Sequence, residues 1–176
     1  MLLSRAKPHL AFASYTKNQA YRSPADTLGE EPATEVKLED HCKYKYLFNF
    51  RGVAASFRYK HLFACNSLVF HVGARGDDFI EFYYEGLQPW VHYIPVREDM
   101  SDVEELITFA RENDDIARQI AQNGADFIRD NLRYDDVKDY WRHLLIEYTK
   151  LVDWQVVKHP ELNQITKDKW RVVDKD

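Results

Sequence analysis

The sequence is poor in the residues and runs that mark several classes of protein. Its two cysteines, Cys42 and Cys65, are too few for a metal cluster and have no CxxC spacing. No apolar run approaches the roughly eighteen residues of a membrane span. A formal net charge of -5 argues against nonspecific nucleic-acid binding, which needs a basic surface. We therefore expect no bound metal, no membrane span and no nucleic-acid partner.

The cellular compartment stays open at this level. As isolated residues, Cys42 and Cys65 are expected to be buried free thiols, with a disulfide as the alternative. The N-terminus, Met1 to Pro8, is not a signal peptide, because its apolar stretch is too short and charge follows at once. Taken literally, this start indicates a cytosolic protein. In a fragment, it indicates only that the true start is missing.

The overall composition indicates a folded domain. The 176 residues suit one domain with a single core, and 45% hydrophobic with 30% charged residues is ordinary for such a domain. The aromatic content of 14% fits either a thick core or a site that stacks on planar ligands. A small anionic ligand is compatible with a local cluster of basic residues: Lys43, Lys45, Arg51, Arg58 and Lys60.

Three segments are predicted along the chain. Residues 1–41 are polar and interrupted by Pro8, Pro24 and Pro32, which indicates a loop-rich N-terminal segment. Residues 42–152 carry strand and helix patterns and are predicted to form the folded domain. Residues 153–176 have little pattern and are predicted to be a tail.

The pattern of the middle segment predicts alternating strands and helices. From Tyr44 to Phe50 aromatic residues recur at every second position, which is typical of a strand. Apolar residues of Ala54–Cys65 have helical spacing. Ser67–Val72 is apolar and β-branched, as a buried strand is, and Pro89–Val96 contains another short strand.

Three helices are predicted to follow. A capping box, Ser101-Asp102-Val103-Glu104, begins the first. Asp114 or Asp115 begins the second, and Asp135 or Asp136 the third, since acidic residues suit the positive end of the helix dipole. The order of the elements predicts an α/β fold, a Rossmann-like parallel sheet with flanking helices.

The turn after the first strand is the strongest candidate for a ligand site, because ligands bind outside the carboxyl ends of strands in an open parallel sheet. Gly52 allows a sharp turn, and Ala54 to Ser56 are small enough for a phosphate to approach the N–H groups of the first helical turn. Arg51 and Arg58 are forked donors suited to a diphosphate, and Ser56 adds a hydroxyl. The alternative is a tight turn with two surface arginines. With one glycine the turn is neither GxGxxG nor a P-loop, which disfavours NAD and ATP.

Other chemically active residues are expected to be structural. His71 and His92 lie in apolar stretches and are predicted to be packed or hydrogen-bonded. Trp90 and Tyr93 are predicted to lie in the core rather than to stack on a ligand. Paired acidic residues are predicted to be solvated caps rather than catalytic carboxylates: Asp77-Asp78, Asp114-Asp115 and Asp135-Asp136.

A long ungapped string is shared with a known family. The segment from Cys42 to Arg58, CKYKYLFNFRGVAASFR, closely resembles the Rumi-type protein O-glucosyltransferases of the endoplasmic reticulum. The likeness covers nearly the whole chain to about Leu151. The other matching segments are Leu2–Arg5, Tyr15–Ala20, Asp26–Gly29, Ser67–Gly73, Glu81–Tyr84 and Pro89–Val96.

The resemblance implies the C-terminal, donor-binding half of a GT-B glycosyltransferase, with residues 42–152 as a Rossmann-like UDP-sugar-binding domain. Such enzymes transfer glucose, and in some members xylose, from a UDP-sugar to a serine of folded EGF-like repeats such as those of Notch. The anomeric configuration inverts, and no metal or other cofactor is required. The implied compartment is the lumen of the endoplasmic reticulum, although the chain shows neither a signal peptide nor a complete KDEL-type signal.

The resemblance also assigns site residues. In this family the segment from Val53 to Arg58 contacts the UDP-sugar, with Arg58 on the diphosphate. Glu81 lies where many GT-B folds place a carboxylate near the donor. The matching cysteines are bonded in the family, so a Cys42–Cys65 disulfide is implied, which an oxidising lumen permits. The full predicted UDP-sugar-binding set is Arg51, Gly52, Val53, Ala54, Ala55, Ser56, Phe57 and Arg58.

The sequence departs from the family's pattern in places. The family's catalytic base is an aspartate of the N-terminal, acceptor-binding domain, and the resemblance implies that this chain begins after that domain. No residue here is therefore assigned as catalytic, and we expect the isolated chain to be inactive. The alternative is a truncated or non-catalytic UDP-sugar-binding module. The loop Ala74–Asp78 is longer than usual, and Asp139 replaces a cysteine that ties some relatives to their N-terminal part.

Overall fold

A computed structural model describes residues 2–16, 23–27, 29–52, 54–73, 79–155, 157 and 159–161. The chain divides into two compact units, Met1–Asp136 and Val137–Asp176. Three predictions lie outside the described residues: the place of Val53 in the donor site, the long loop Ala74–Asp78, and most of the predicted tail, residues 162–176.

A three-stranded parallel sheet forms the centre of the first unit. The strands are β1 (Tyr46–Phe50), β2 (Leu68–Val72) and β3 (Ile94–Val96), in the spatial order β1-β2-β3. Phe48 pairs with Phe70, and Phe70 pairs with Ile94. This arrangement confirms the predicted Rossmann-like α/β fold.

The described residues form five α-helices. They are α1 (Leu2–Ala6), α2 (Tyr59–Ala64), α3 (Val103–Glu112), α4 (Asp114–Asn131) and α5 (Tyr134–Thr149). Three short 3-10 helices occupy Pro24–Thr27, Leu38–Lys43 and Tyr84–Gly86. Among the described residues, no helix is both long enough and apolar enough to cross a bilayer.

Both faces of the sheet are covered, because every residue of β2 is buried and side chains of a strand alternate between faces. On one face, Phe70 packs with residues of α3 and α4, including Ile107 and Ile120. On the other face, Val69 packs with residues of α2, including Phe63. Layered packing of this kind explains why β2 carries a nearly continuous apolar run.

The predicted start of the helix after β1 is wrong: α2 begins at Tyr59, not at Ala54. The residues before it make turn bonds, with the Gly52 N–H donating to the Ala54 carbonyl (3.1 Å) and the Tyr59 N–H to the Ser56 carbonyl (3.1 Å). The Ser56 hydroxyl donates to a β1 side chain (2.7 Å).

The predicted capping box is wrong as well. Helix α3 begins at Val103, and no side chain caps its N–H groups. The Asp102 carboxylate instead accepts the backbone N–H of Arg97 (3.1 Å), which fixes the loop between β3 and the helix.

A disulfide joins Cys42 to Cys65, with their Cα atoms 4.7 Å apart. Cys42 lies in the 3-10 helix Leu38–Lys43, and Cys65 directly follows α2. The bond therefore ties the start and end of the β1–α2 segment. It confirms the pairing implied by the resemblance, and the expectation of free thiols, made from the isolated residues, is wrong.

Candidate functional site

The candidate donor turn is the loop between β1 and α2, Arg51 to Arg58, which follows the carboxyl end of β1. Three of its long side chains are exposed: Phe57, which is 62% exposed, Arg51 and Arg58. Within the part of the chain that the structure describes, no hydrogen bond or ion pair occupies the Arg58 guanidinium. A cation and an aromatic ring are thus available to a ligand at this edge of the sheet.

Beneath the turn lies a buried chain of three polar side chains. The Ser56 hydroxyl donates to Asn49 Oδ1 (2.7 Å), and Asn49 Nδ2 lies 2.8 Å from His71 Nδ1. Ser56, Asn49 and His71 are only 6%, 1% and 5% exposed. The chain runs from the turn through β1 to β2, so the prediction of a hydrogen-bonded His71 is confirmed.

Aromatic side chains pack against His71, the last residue of this hydrogen-bond network. The His71 ring stacks on Tyr59 with ring centroids 4.4 Å apart, and Tyr93 meets it edge-on at 5.6 Å. Burial raises the pKa of the Tyr59 hydroxyl well above its ordinary value, so this residue stays neutral. The Tyr84 hydroxyl donates to the Ser56 carbonyl (3.4 Å), adding a contact from the other side of the turn.

Two roles that sequence reasoning gave to the turn are different in the structure. The Ser56 hydroxyl was assigned as a donor to a diphosphate, but its proton is directed to Asn49. Ala54 and Ala55 were placed on the first helical turn, but they precede α2, so a phosphate there would not face its N-terminus. Gly52 does not adopt a left-handed conformation, and an added Cβ would meet only ordinary contacts from 3.5 Å.

Glu81 is held by a lysine of α2. Lys60 Nζ lies 2.9 Å from Glu81 Oε1 and 2.8 Å from Oε2, and both side chains are partly buried. The pair joins α2 to the segment before the 3-10 helix Tyr84–Gly86. Both carboxylate oxygens of Glu81 thus have a cationic partner.

A cleft of about 600 Å³ lies at the carboxyl ends of β2 and β3. Its lining includes His71 and Gly73 from the β2 end, Arg97 from the β3 end, and Trp90. The prediction that Trp90 lies in the core is wrong: it is 47% exposed, has a left-handed backbone (φ 64°), and packs edge-on against Phe109. The sequence analysis did not predict this cleft, because its lining residues are brought together by the pairing of β2 with β3.

The remaining acidic and histidine candidates have structural partners. Asp114 accepts from Lys45 and from Arg118 (2.8 Å), and these bonds hold its carboxyl pKa below the ordinary value. The Asp136 carboxylate accepts the backbone N–H of Arg133 (2.8 Å). His92 Nδ1 accepts the Gln88 N–H (2.9 Å), and burial lowers the pKa of His92. The His92 contact confirms its predicted hydrogen-bonded role. The predicted cap role of Asp114 is wrong, because the N-cap of α4 is Asn113, which makes no side-chain cap bond, and Asp114 is ion-paired instead.

In the described ranges, no three side chains of the His, Cys, Asp or Glu type come together as a metal site would require.

Comparison with known sequences gives consistent matches. The profile of glycosyl transferase family 90 matches residues 1–174. Protein O-glucosyltransferase 1 of Homo sapiens is 57% identical over 165 residues, covering 94% of this chain and 41% of that protein. O-glucosyltransferase rumi of Drosophila pseudoobscura pseudoobscura is 57% identical over 167 residues (94% and 40%). The corresponding protein of Drosophila melanogaster is 54% identical over 164 residues (92% and 39%). The chain thus spans about two fifths of the length of these relatives.

Proposed function

This chain belongs to glycosyl transferase family 90, and on that premise we propose that it is the donor-binding part of a protein O-glucosyltransferase. The observation that carries the proposal is the turn at the end of β1, which presents Arg58 and Phe57 above a buried polar support. Relatives that match 94% of the chain are named protein O-glucosyltransferase, which supports the same activity.

The donor in this proposal is UDP-glucose, with UDP-xylose as a second donor. The guanidinium of Arg58 binds the diphosphate, and the backbone of residues 51–57 lines the sugar-nucleotide. The acceptor is a serine hydroxyl of an EGF-like repeat, such as those of Notch. The compartment is the lumen of the endoplasmic reticulum, and the Cys42–Cys65 disulfide supports an oxidising environment.

The chemistry requires two groups. Positive charge must stabilise the leaving diphosphate, and Arg58 supplies it without a metal ion. A base must take the serine proton so that the serine oxygen can displace UDP in one inverting step. Among the described aspartates, five lie in ion pairs with arginine or lysine and do not suit that role: Asp102, Asp114, Asp126, Asp130 and Asp136. We therefore propose that the base belongs to an acceptor-binding domain outside these 176 residues.

Calorimetry of the 176-residue chain with UDP tests the proposal. We expect UDP to bind and ADP to bind more weakly, since the family's donor is a uridine nucleotide. A well-folded sample that does not bind UDP would overturn the proposal.

A second candidate function is a UDP-sugar-binding module without catalysis. The observation in its favour is that the chain spans only about two fifths of its relatives. An assay with UDP-glucose and a folded EGF repeat separates binding from transfer. We expect binding without transfer from the isolated chain, and measurable turnover would show that the base lies within it.

A further inference from the structure

We propose that Asn49 and His71 are positioning residues that fix the donor turn through Ser56. Two bonds carry this inference, Ser56 Oγ to Asn49 Oδ1 (2.7 Å) and Asn49 Nδ2 to His71 Nδ1 (2.8 Å). The identity of the ligand rests on the proposed function, whereas the rigidity of the turn does not.

The bonds determine one another's direction. Because Asn49 Oδ1 accepts the Ser56 proton, the amide NH2 of Asn49 faces His71. His71 Nδ1 must then be the acceptor, so the proton of the neutral ring is on Nε2. As a result, Ser56 offers a ligand a hydroxyl oxygen that accepts, rather than a proton that donates.

His71 also fixes the residue that follows the exposed side chains of Phe57 and Arg58. Its ring stacks on Tyr59, the first residue of α2, which is 1% exposed. Ser56 and Tyr59 flank Phe57 and Arg58 in the chain, and both flanking residues are fixed to the same histidine, one through Asn49 and one directly. Two exposed side chains that contact a ligand are thereby held between two buried anchors.

The position of His71 argues for a role beyond stability. The other residues of β2 are Leu68, Val69, Phe70 and Val72, all apolar and buried. A buried histidine and asparagine must be desolvated, and an apolar pair of similar shape is often as stable. Asn49 and His71 lie near the carboxyl ends of β1 and β2, directly under the turn. Their role is to hold the conformation of that turn.

Hydrogen exchange and calorimetry on the full chain test the inference with the variants Asn49→Ala and Ser56→Ala. We expect each to accelerate amide exchange of residues 54–58 about tenfold, since the turn then opens more easily. UDP affinity should fall about 5- to 30-fold. The double variant should lose little more UDP affinity than either single variant, because both substitutions break the same hydrogen-bond network.

Ser67→Ala is the matched control. Ser67 is buried to nearly the same extent as Ser56 (5% exposed). The Ser67 hydroxyl donates to the Tyr44 carbonyl at 2.7 Å, at the opposite end of the sheet. It should lower stability while leaving exchange in the turn and UDP affinity unchanged.

A conservative variant separates positioning from packing. His71→Gln keeps an acceptor for the Asn49 amide, so it should retain more UDP affinity than His71→Leu at equal folded fraction. Unchanged turn exchange in Asn49→Ala overturns the inference. Accelerated exchange in that variant, with no UDP binding by the unmodified chain, supports the inference and overturns only the proposed function.

Discussion

Lys60 and Glu81 form a bidentate ion pair, with the Lys60 ammonium 2.9 Å and 2.8 Å from the two carboxylate oxygens of Glu81. Their side chains are 30% and 26% exposed, so the pair is partly removed from water. Glu81 was considered as a donor-site carboxylate, and the pair gives it a second role in holding α2 to the segment that precedes Tyr84–Gly86.

Removing one partner of this pair should be destabilising. Glu81→Gln leaves Lys60 without its counter-charge, and we expect the free energy of unfolding to fall by about 1 kcal/mol, because partial exposure screens the pair. Lys60→Met should give a similar loss. Urea denaturation of the double variant should show less than the sum of the two losses, and additive losses would mean that the pair has no coupling.

Arg58→Ala should weaken UDP binding by about 1–3 kcal/mol, the range for losing a charged hydrogen-bond partner. Arg58→Lys should recover part of the affinity, since it keeps the charge and loses the fork. Arg111→Ala is the control, because Arg111 is exposed in the last turn of α3. Calorimetry that finds the same dissociation constant for Arg58→Ala and Arg111→Ala would exclude Arg58 from the site.

The sheet and most helices could be predicted because their signals are local. Ser67–Val72 reads as a buried strand from its own composition, and β2 occupies Leu68–Val72. Acidic residues near Asp114 and Asp135 indicated the starts of α4 and α5 closely.

The turn could be located from sequence, but its internal bonds could not. The bond that holds the Ser56 side chain is to Asn49, seven positions away and in a different element. The support from His71 depends on the register of β1 with β2, where Asn49 pairs with His71. Such contacts follow from strand pairing rather than from periodicity, so the pattern around Ala54 predicted a helix that the tertiary structure delays.

Gly124→Ala should destabilise the protein although alanine is the better helix former by about 1 kcal/mol. An added Cβ on this α4 residue would lie 2.6 Å from Phe63 Cδ1 and 2.7 Å from the His92 carbonyl oxygen. We expect a net loss of about 1–3 kcal/mol in urea denaturation. Phe63→Leu should not rescue the variant, because the backbone carbonyl cannot move aside; full rescue would contradict this account.

Stability should fall as the pH drops below about 6.5, in part because of His92. Burial lowers the pKa of the His92 ring in the folded state below its ordinary value, so the unfolded chain takes up this proton first and is favoured at acidic pH. An NMR titration should place the His92 pKa below 6.5. In urea denaturation at about pH 7 and pH 5, His92→Gln should lose less stability than the unmodified protein; an equal loss would show that His92 does not contribute.

Replacing both bonded cysteines by alanine should lower the free energy of unfolding by about 3 kcal/mol, because the bond closes a loop between positions that are 23 apart in the sequence of the unfolded chain. Reductant should lower the stability of the unmodified protein to a similar level and leave the variant unchanged. If reductant destabilised both equally, the effect would not come from the Cys42–Cys65 bond.

The disulfide also determines what a break in the backbone would do. Every peptide bond of β1, of the donor turn and of α2 lies between Cys42 and Cys65. A protease that cuts the exposed turn at Phe57 or Arg58 would therefore leave one covalent molecule of nearly unchanged mass. Two fragments would separate on a gel only after reduction, so nicked protein would pass as intact in any preparation analysed without a reducing agent.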